Sequence, residues 1–165
     1  MIMKTKTAVF SKEEVIMNRS RIDSFRGDYF FLSNFYPAQV TIDGLTYQNN
    51  EAAFQAQKVL DPEAKKAFTA LAPKEAKRRG RQVPLRPDWE KVKNGIMEEI
   101  VRAKFLQNED LKEKLLSTGD ALLVEGNTWN DRYWGVDKRS RTGKNYLGQI
   151  LMKVRSDLQG SGPVS

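Results

Sequence analysis

The sequence contains neither cysteine nor histidine among its 165 residues. Without cysteine, the chain has no disulfide framework, no thiol nucleophile and no cysteine metal cluster. Without histidine, it lacks the usual general base near neutral pH and the commonest metal ligand, which excludes serine–histidine triads and HExxH zinc sites. If the chain is an enzyme, its proton transfers must use Asp, Glu, Lys or Tyr, or be left to water.

Long apolar runs are also missing from the sequence. No stretch approaches the roughly 20 apolar residues that a membrane helix needs, and the first ten residues lack the apolar run of a secretory signal. Hydrophobic residues make up 39% and charged residues 30% of the chain, a composition typical of a globular domain with one core. We therefore expect a cytoplasmic protein with no membrane partner.

Positive charge is abundant and unevenly distributed. The net charge is +7, and residues 74–93 contain eight basic but only three acidic side chains. A second basic run, residues 138–144, contains no acid. Such an excess attracts nucleotides, nucleic acids or acidic surfaces, although a solvated basic surface explains the same pattern.

The pattern along the chain predicts one domain, at residues 21–158. Residues 1–20 are weakly patterned, and residues 159–165 resemble a flexible tail. Asp43-Gly44 between two alternating apolar runs predicts a hairpin. Helical spacing and capping residues predict helices at about 50–60, 62–72, 73–80, 87–107, 108–119 and 147–158. With short strands expected near 121–125 and 133–136, the predicted fold class is α+β, mostly helical, with a small antiparallel sheet.

A carboxylate, an amide and an amine share one face of the helix predicted at 50–60. Glu51 lies in the first turn, where the helix dipole favours a charged carboxylate by about 0.3–1 kcal/mol. Gln55 and Lys58 follow at i+4 and i+7, and a nearby lysine also favours ionisation of Glu51. An ionised Glu51 suits a base, a nucleophile or a stabiliser of an oxocarbenium ion. The alternative is an ordinary acidic helix start beside a solvated lysine.

An aromatic loop at residues 122–135 supplies a second group of candidates. Trp129 and Trp134 are suited to stacking on a flat base, and Asp131 adds a second carboxylate. Polar loops beside aromatic residues are common at binding sites. A structural corner in which the tryptophans fill the core is an equally good explanation.

Two further segments carry groups that suit phosphate or ribose. Arg86 and Trp89 stand at a helix start, with Arg78 upstream, and arginine forks at helix N-termini match phosphate oxygens. Ser33 and Asn34 interrupt an aromatic run and have the polar groups to bond ribose hydroxyls or a base edge. A capped core helix and a turn between core strands are the respective alternatives.

Taken together, these segments resemble the YbiA/NADAR family over about residues 22–158. The resemblance rests on seven blocks in the family's order. The blocks are FLSNFYP (31–37), Glu51 with QAQK (55–58), AKRRGR (76–81), RPDWEKVK (86–93), VRAKF (101–105), LVEGNTWNDRYWG (123–135) and GKNYLGQILM (143–152). It implies an N-glycosidase that acts without a metal, redox or other cofactor.

The resemblance also implies substrates and partners. Members are associated with ribose–nitrogen cleavage in riboflavin-pathway intermediates. Others are associated with removal of ADP-ribose from guanine, sometimes beside ADP-ribosylating toxins. The expected substrate is therefore a phosphorylated nucleoside or an ADP-ribosyl group, including ADP-ribosylated DNA, and an ADP-ribosyltransferase toxin is an implied partner.

Carried over by position, the resemblance makes Glu51 the first catalytic candidate and Asp131 the second. The predicted substrate-binding residues are Ser33, Asn34, Phe35, Lys58, Arg78, Arg86, Trp89, Trp134, Gly135 and Asn145. No metal ligand is predicted.

The chain departs from the family pattern on either side of Glu51. Asn49 stands where members usually have Ser or Thr, which keeps a capping residue. Ala52 stands where they usually have His, which removes a proton donor or hydrogen bond beside Glu51. Two alternatives to the N-glycosidase follow. One is a catalytically weak module that binds ADP-ribose or nucleotides, and the other is a nucleic-acid binder whose affinity falls steeply with salt.

Overall fold

The computed structural model describes residues 20–160, so the expectations for 1–19 and 161–165 lie outside the described residues. Its helices are a 3₁₀ helix (Gly27–Leu32), α1 (Asn50–Ala56), α2 (Pro62–Lys66), α3 (Pro73–Gly80), α4 (Trp89–Gln107), α5 (Glu109–Ser117) and α6 (Tyr146–Gly160). Its strands are β1 (Arg21–Ile22), β2 (Pro37–Ile42), β3 (Leu45–Asn49), β4 (Leu122–Leu123), β5 (Gly126–Asn127) and β6 (Val136–Asp137). The fold class is α+β and mostly helical, as predicted.

The predicted hairpin is formed by β2 and β3. The two strands pair antiparallel with Ile42 opposite Leu45, and Asp43 and Gly44 make the turn. Both turn residues have positive φ, 49° and 82°, the combination of a type I′ turn, which favours Asp-Gly. Alternate residues of β2 are buried, so one face of the hairpin closes the core.

Two other strand pairs are parallel and only two residues long. β1 pairs with β4, and β5 pairs with β6. The sequence predicted strands near β4 and β6 but not this pairing, because two residues are too few for an alternating pattern. The strand expected at 133–136 forms as Val136–Asp137, where it can pair with β5.

The core is built around α4. This helix packs against α1, α5, α6 and β2, and it buries the apolar face that its spacing predicts, at Met97, Ile100, Val101 and Phe105. The predicted apolar face of the terminal helix α6 is buried as well. These two long helices confirm the most strongly periodic parts of the prediction.

Two helices are shorter than predicted. α1 ends at Ala56 because the chain tightens into i→i−3 bonds, such as Lys58 N–H to the Gln55 carbonyl at 3.2 Å. Asp61, which precedes a proline, is then extended and caps α2. α2 ends at Lys66 and continues to residue 70 as turns rather than as helix.

Within residues 20–160, no helix has the length and apolar character to span a membrane.

Candidate active site

A cavity of about 530 Å³ opens between α1, α3, the first turns of α4 and the loop at 123–136. Three carboxyl groups line it: Glu51, Glu125 and Asp131. Four cationic side chains also line it: Arg26, Lys58, Lys77 and Lys93. The aromatic lining consists of Phe25, Phe30, Phe35, Phe54, Trp89, Trp129 and Trp134. A volume of this size is typical of small-molecule sites.

Most of the residues predicted for the site line this cavity. They are Glu51, Asp131, Ser33, Asn34, Phe35, Lys58, Trp89 and Trp134. The structure does not bring Arg78, Arg86, Gly135 or Asn145 to the lining.

The helix wall of the cavity consists of Glu51, Gln55, Lys58 and Lys77. Asn49 caps α1 by accepting a 2.7 Å hydrogen bond from Ala52 N–H, as predicted. Gln55 Nε2 donates to Glu51 Oε1 at 2.8 Å, so the predicted shared face exists. The main-chain N–H of Glu51 donates to the carbonyl of Asn34 at 3.0 Å, which joins the wall to the Ser33–Phe35 loop.

Burial dominates the ionisation of Glu51. It raises the pKa of Glu51, and the Gln55 hydrogen bond and the charges of Lys77 and Lys58 oppose it only in part. The sequence predicted that the helix start and Lys58 would favour ionisation. That expectation was wrong for the net effect, because removing the carboxylate from water outweighs the neighbouring cations.

Lys77, rather than Arg78, turns into the cavity from α3. Successive residues of a helix lie about 100° apart, so adjacent side chains face different directions. Arg78 lines a separate surface depression with Glu75 and Arg79. The basic composition of α3 predicted a cationic wall, but the sequence did not indicate which residue faces inward.

Arg86 binds within the protein instead of lining the cavity. Its Nε lies 2.7 Å from Asp88 Oδ1, and its main-chain N–H donates to the carbonyl of Lys58 at 2.9 Å. Trp89, one turn further on, is 5% exposed, and its ring centroid lies 5.1 Å from that of Phe54. Phe54 also contacts Trp134 at 5.4 Å, so the three rings form one side of the cavity.

The loop wall consists of Glu125, Asn127, Asp131 and Trp134. Asp131 Oδ1 accepts hydrogen bonds from the main-chain N–H groups of Tyr133 and Trp134, at 3.0 and 2.9 Å. Asn127 is 1% exposed and binds both carboxyl residues. Its Nδ2 donates to Glu125 Oε2 at 3.0 Å and to the Asp131 carbonyl at 2.9 Å. Side chains thus hold this irregular segment together.

Glu125 is a cavity residue that sequence reasoning did not select. Burial raises its pKa to about 7, helped by the charges of Asp131 and Glu51 and opposed by the Asn127 hydrogen bond and by Lys77. The available sequence signal was the lack of histidine, because it makes every carboxyl residue of the aromatic loop, including Glu125, a candidate for proton transfer.

Gly135 and Asn145 support Glu125 from behind. A Cβ atom at Gly135 would lie 1.8 Å from Glu125 Oε2 and 2.1 Å from the Glu125 carbonyl oxygen. Asn145 Oδ1 accepts the Glu125 main-chain N–H at 2.9 Å. Both predicted binding residues therefore contact the loop wall rather than the cavity.

Lys104 holds the Ser33–Phe35 loop in place, a role that was not predicted from the sequence. Its Nζ donates to the carbonyls of Phe31 and Ser33, at 2.6 and 3.0 Å. Complete burial lowers the pKa of Lys104 to about 7. Its spacing from Met97, Ile100 and Val101 places it on the buried face of α4, and this spacing was the sequence signal.

Ala52, the departure from the family pattern, is fully buried and does not line the cavity. Within residues 20–160, no three acidic side chains are arranged to hold a metal ion. The cavity instead combines carboxyl groups suited to a cationic transition state, cations suited to phosphate and rings suited to a base.

Comparison with known proteins gives consistent results. The NADAR domain family model matches residues 22–159. N-glycosidase YbiA of Escherichia coli (strain K12) is 43% identical over 134 residues, which cover 79% of this chain and 82% of that protein. N-glycosidase Npun_R5314 of Nostoc punctiforme is 39% identical over 137 residues, covering 79% and 86%. A Vibrio vulnificus relative named riboflavin biosynthesis protein VVA0006 is 40% identical, over 81% of this chain and 36% of its own length.

The fold agrees with a solved structure as well. The NMR structure of the E. coli protein YbiA matches with a TM-score of 0.77 and 37% sequence identity, covering 88% of this chain and 91% of that one. The predicted resemblance is confirmed: this chain belongs to the NADAR family and is an N-glycosidase.

Proposed function

We propose that this enzyme hydrolyses the ribose–nitrogen bond of phosphate-bearing ribosylamine substrates. Two substrates of this class are ribosylaminouracil phosphates and ADP-ribose attached to guanine. The proposal is supported by one observation above all, that three carboxyl groups, a set of lysines and a cluster of rings line the same cavity.

In the proposed reaction, Glu51 faces the anomeric carbon. Cleavage of a ribose–nitrogen bond gives the sugar an oxocarbenium character, which a nearby carboxylate stabilises electrostatically. Burial raises the pKa of Glu51, and the Gln55 hydrogen bond and the charges of Lys77 and Lys58 counter that rise in favour of the ionised form that this role requires. Asp131, whose Oδ1 is fixed by two main-chain N–H groups, assists from the opposite wall.

The phosphate and the base are assigned to different parts of the cavity. Lys58, Lys77 and Lys93 are the cations proposed to bind phosphate, in place of Arg78 and Arg86. Trp129 is 53% exposed at the cavity, where its ring is available to stack on a base. The name of the Vibrio vulnificus relative, a riboflavin biosynthesis protein, is compatible with an aminouracil base.

The position of Ala52 argues against the alternative of a binding module. That alternative depends on the loss of a histidine beside Glu51. Ala52 is fully buried and does not line the cavity, so alanine at this position leaves the carboxyl groups of the cavity in place.

The test sets purified enzyme against two substrates, a ribosylaminouracil 5-phosphate and guanine-ADP-ribosylated DNA. Release of the sugar phosphate is followed by mass spectrometry. Glu51→Gln is the test variant, and Glu99→Gln, at an exposed position on α4, is the matched control.

We expect release of ribose phosphate or ADP-ribose by the wild type and by Glu99→Gln, but not by Glu51→Gln. Tight ADP-ribose binding with no release from either substrate would favour the binding module. Affinity for unmodified DNA that equals the affinity for modified DNA, and falls steeply with salt, would favour the nucleic-acid binder.

A further inference from the structure

Hydrolysis of a ribose–nitrogen bond places two opposite demands on the cavity. The sugar needs a negative charge beside it, while the departing nitrogen needs a proton unless its own acidity makes it a good leaving group. Histidine, the usual proton donor near neutral pH, is absent from the whole sequence. One of the carboxyl groups in the cavity is therefore the natural place to look for a donor.

The surroundings of Glu125 suit a protonated carboxyl group. Asn127 Nδ2 donates to Oε2 at 3.0 Å, which leaves Oε1 as the oxygen available to carry and deliver a proton. The carboxyl lines the cavity together with Glu51 and Asp131. Two carboxylates that share a cavity with a third favour its protonated form, because like charges repel.

The other two carboxyl groups are placed to act as acceptors. Asp131 Oδ1 accepts two main-chain N–H bonds, at 3.0 and 2.9 Å. Glu51 Oε1 accepts from Gln55 Nε2 and faces Lys58. Burial raises the pKa of Glu51, and the Gln55 hydrogen bond and the charges of Lys77 and Lys58 oppose this rise, whereas the charge of Glu51 raises the pKa of Glu125 further.

We propose that Glu125 is the catalytic acid that protonates the leaving nitrogen. The electron pair of the bond between the anomeric carbon and nitrogen moves to nitrogen, which takes the proton from Glu125 Oε1. Water then bonds to the anomeric carbon and forms the sugar hydroxyl. The surplus proton of that water restores Glu125, directly or through solvent, and no other reactant is consumed. This assignment rests on the proposed function.

The structure also assigns the groups that keep this acid in place. Asn127 orients the carboxyl, and Gly135 leaves the space that Oε2 occupies, since a Cβ atom there would lie 1.8 Å from it. Asn145 fixes the main chain of Glu125 at 2.9 Å. Asn127, Gly135 and Asn145 are thus positioning residues that act through the carboxyl group of Glu125.

The experiment compares two leaving groups. Ribosylaminouracil 5-phosphate has an amine leaving group that needs a proton, whereas p-nitrophenyl ribofuranoside 5-phosphate releases a stable anion that needs none. Glu125→Gln, Glu51→Gln and the control Glu99→Gln are assayed on both, after thermal melting has shown that each variant is folded. The pH dependence of kcat/KM is recorded on the aminouracil substrate.

We expect Glu125→Gln to lose about 10²–10⁴-fold in kcat on the aminouracil substrate and only a few-fold on the nitrophenyl substrate. The wild-type rate should fall above about pH 7, the pKa of Glu125, and this fall should be absent from the residual activity of Glu125→Gln. Glu51→Gln should be impaired on both substrates.

Two results would overturn the assignment. Equal losses by Glu125→Gln on both substrates would show that Glu125 does not act on the leaving group. An unchanged alkaline limb in that variant would place the proton donor elsewhere, on Lys58 or Lys77. Failure of the wild type on both substrates would instead reject the proposed function, and the assignment with it.

Discussion

The two walls of the cavity are held in place by different kinds of bond. On the helix wall, main-chain hydrogen bonds of α1 and α3 fix the backbone, and the functional side chains project from it. On the loop wall, side chains take the place of a regular main-chain hydrogen-bond pattern. Asn127 and Asp131 belong to this loop, and their side chains bind main-chain groups of the same loop. A substitution on the helix wall therefore removes one group, while a substitution on the loop wall also moves its neighbours.

The largest effect is expected from Glu51→Gln on the helix wall. Loss of this carboxylate should lower kcat by about 10²–10³-fold, the usual effect of removing one group that stabilises a charged transition state. The amide oxygen can still accept from Gln55, and burial raises the pKa of Glu51, so an amide removes a destabilising charge. Thermal melting at pH 7.5 should show no loss of stability; a lower Tm would contradict the helix-wall description.

Asp131→Ala tests the same comparison from the loop wall. Two partly buried main-chain N–H groups lose their acceptor, which costs about 1–3 kcal/mol where water cannot replace it. For a chain of this size the Tm should fall by roughly 2–4 °C per kcal/mol, and kcat should fall with it. If kcat falls while the Tm is unchanged, the loop is held by something other than Asp131.

Gly135→Ala isolates the packing of the loop wall without removing a functional group. The new Cβ atom would lie 2.1 Å from the main-chain oxygen of Glu125, so the backbone itself must move. We expect about 1–3 kcal/mol of destabilisation from overpacking and about a 10²-fold loss of kcat from the misplaced carboxyl. Wild-type kinetics in this variant would show that the position of Glu125 is not critical.

Gly80→Ala is the corresponding change on the helix wall. Here the nearest atom is the side-chain Oε1 of Gln55, 1.8 Å from the new Cβ, and the three nearest atoms all belong to the Gln55 side chain. Gln55 must turn away from Glu51, which should lower kcat by roughly tenfold, about 1.4 kcal/mol. Because alanine favours a helix over glycine by about 1 kcal/mol, the Tm should stay near that of the wild type. A large loss of stability would show that Gln55 cannot move.

The same difference explains how much the sequence predicted. The helix wall was largely predictable, because helical spacing states which side chains share a face, and even Lys58, beyond the end of α1, follows a right-handed turn that continues the helix. The loop wall has no period. Its motif gave Asp131 and Trp134, but Glu125 is brought to the cavity by Asn127, Gly135 and Asn145, and only the folded structure shows those contacts. Lys77 and Arg78 are adjacent on α3, so their side chains point in different directions. Which of the two faces the cavity depends on how α3 is oriented in the fold, and the sequence does not state this.

A further prediction concerns stability rather than kcat, and its subject is the buried carboxyl group of Glu125. Its pKa is raised from 4.5 to about 7 by burial, so the unfolded chain ionises more readily than the folded one. The stabilising contribution of the protonated form is complete below about pH 4.5 and is lost as the pH rises through 7. The shift corresponds to at most about 3 kcal/mol, reduced by the access of water to the cavity.

At pH 5, the Tm of Glu125→Gln should therefore equal that of the wild type or lie slightly above it. At pH 8, the Tm of the variant should be several degrees higher than that of the wild type. Glu99→Gln, at an exposed site, should show no such divergence. A matching pH dependence of Tm in wild type and Glu125→Gln would mean that Glu125 ionises in the folded protein as easily as in the unfolded chain. Burial on the loop wall would then have no effect on the ionisation of its carboxyl group, in contrast to the effect of burial on Glu51 in the helix wall.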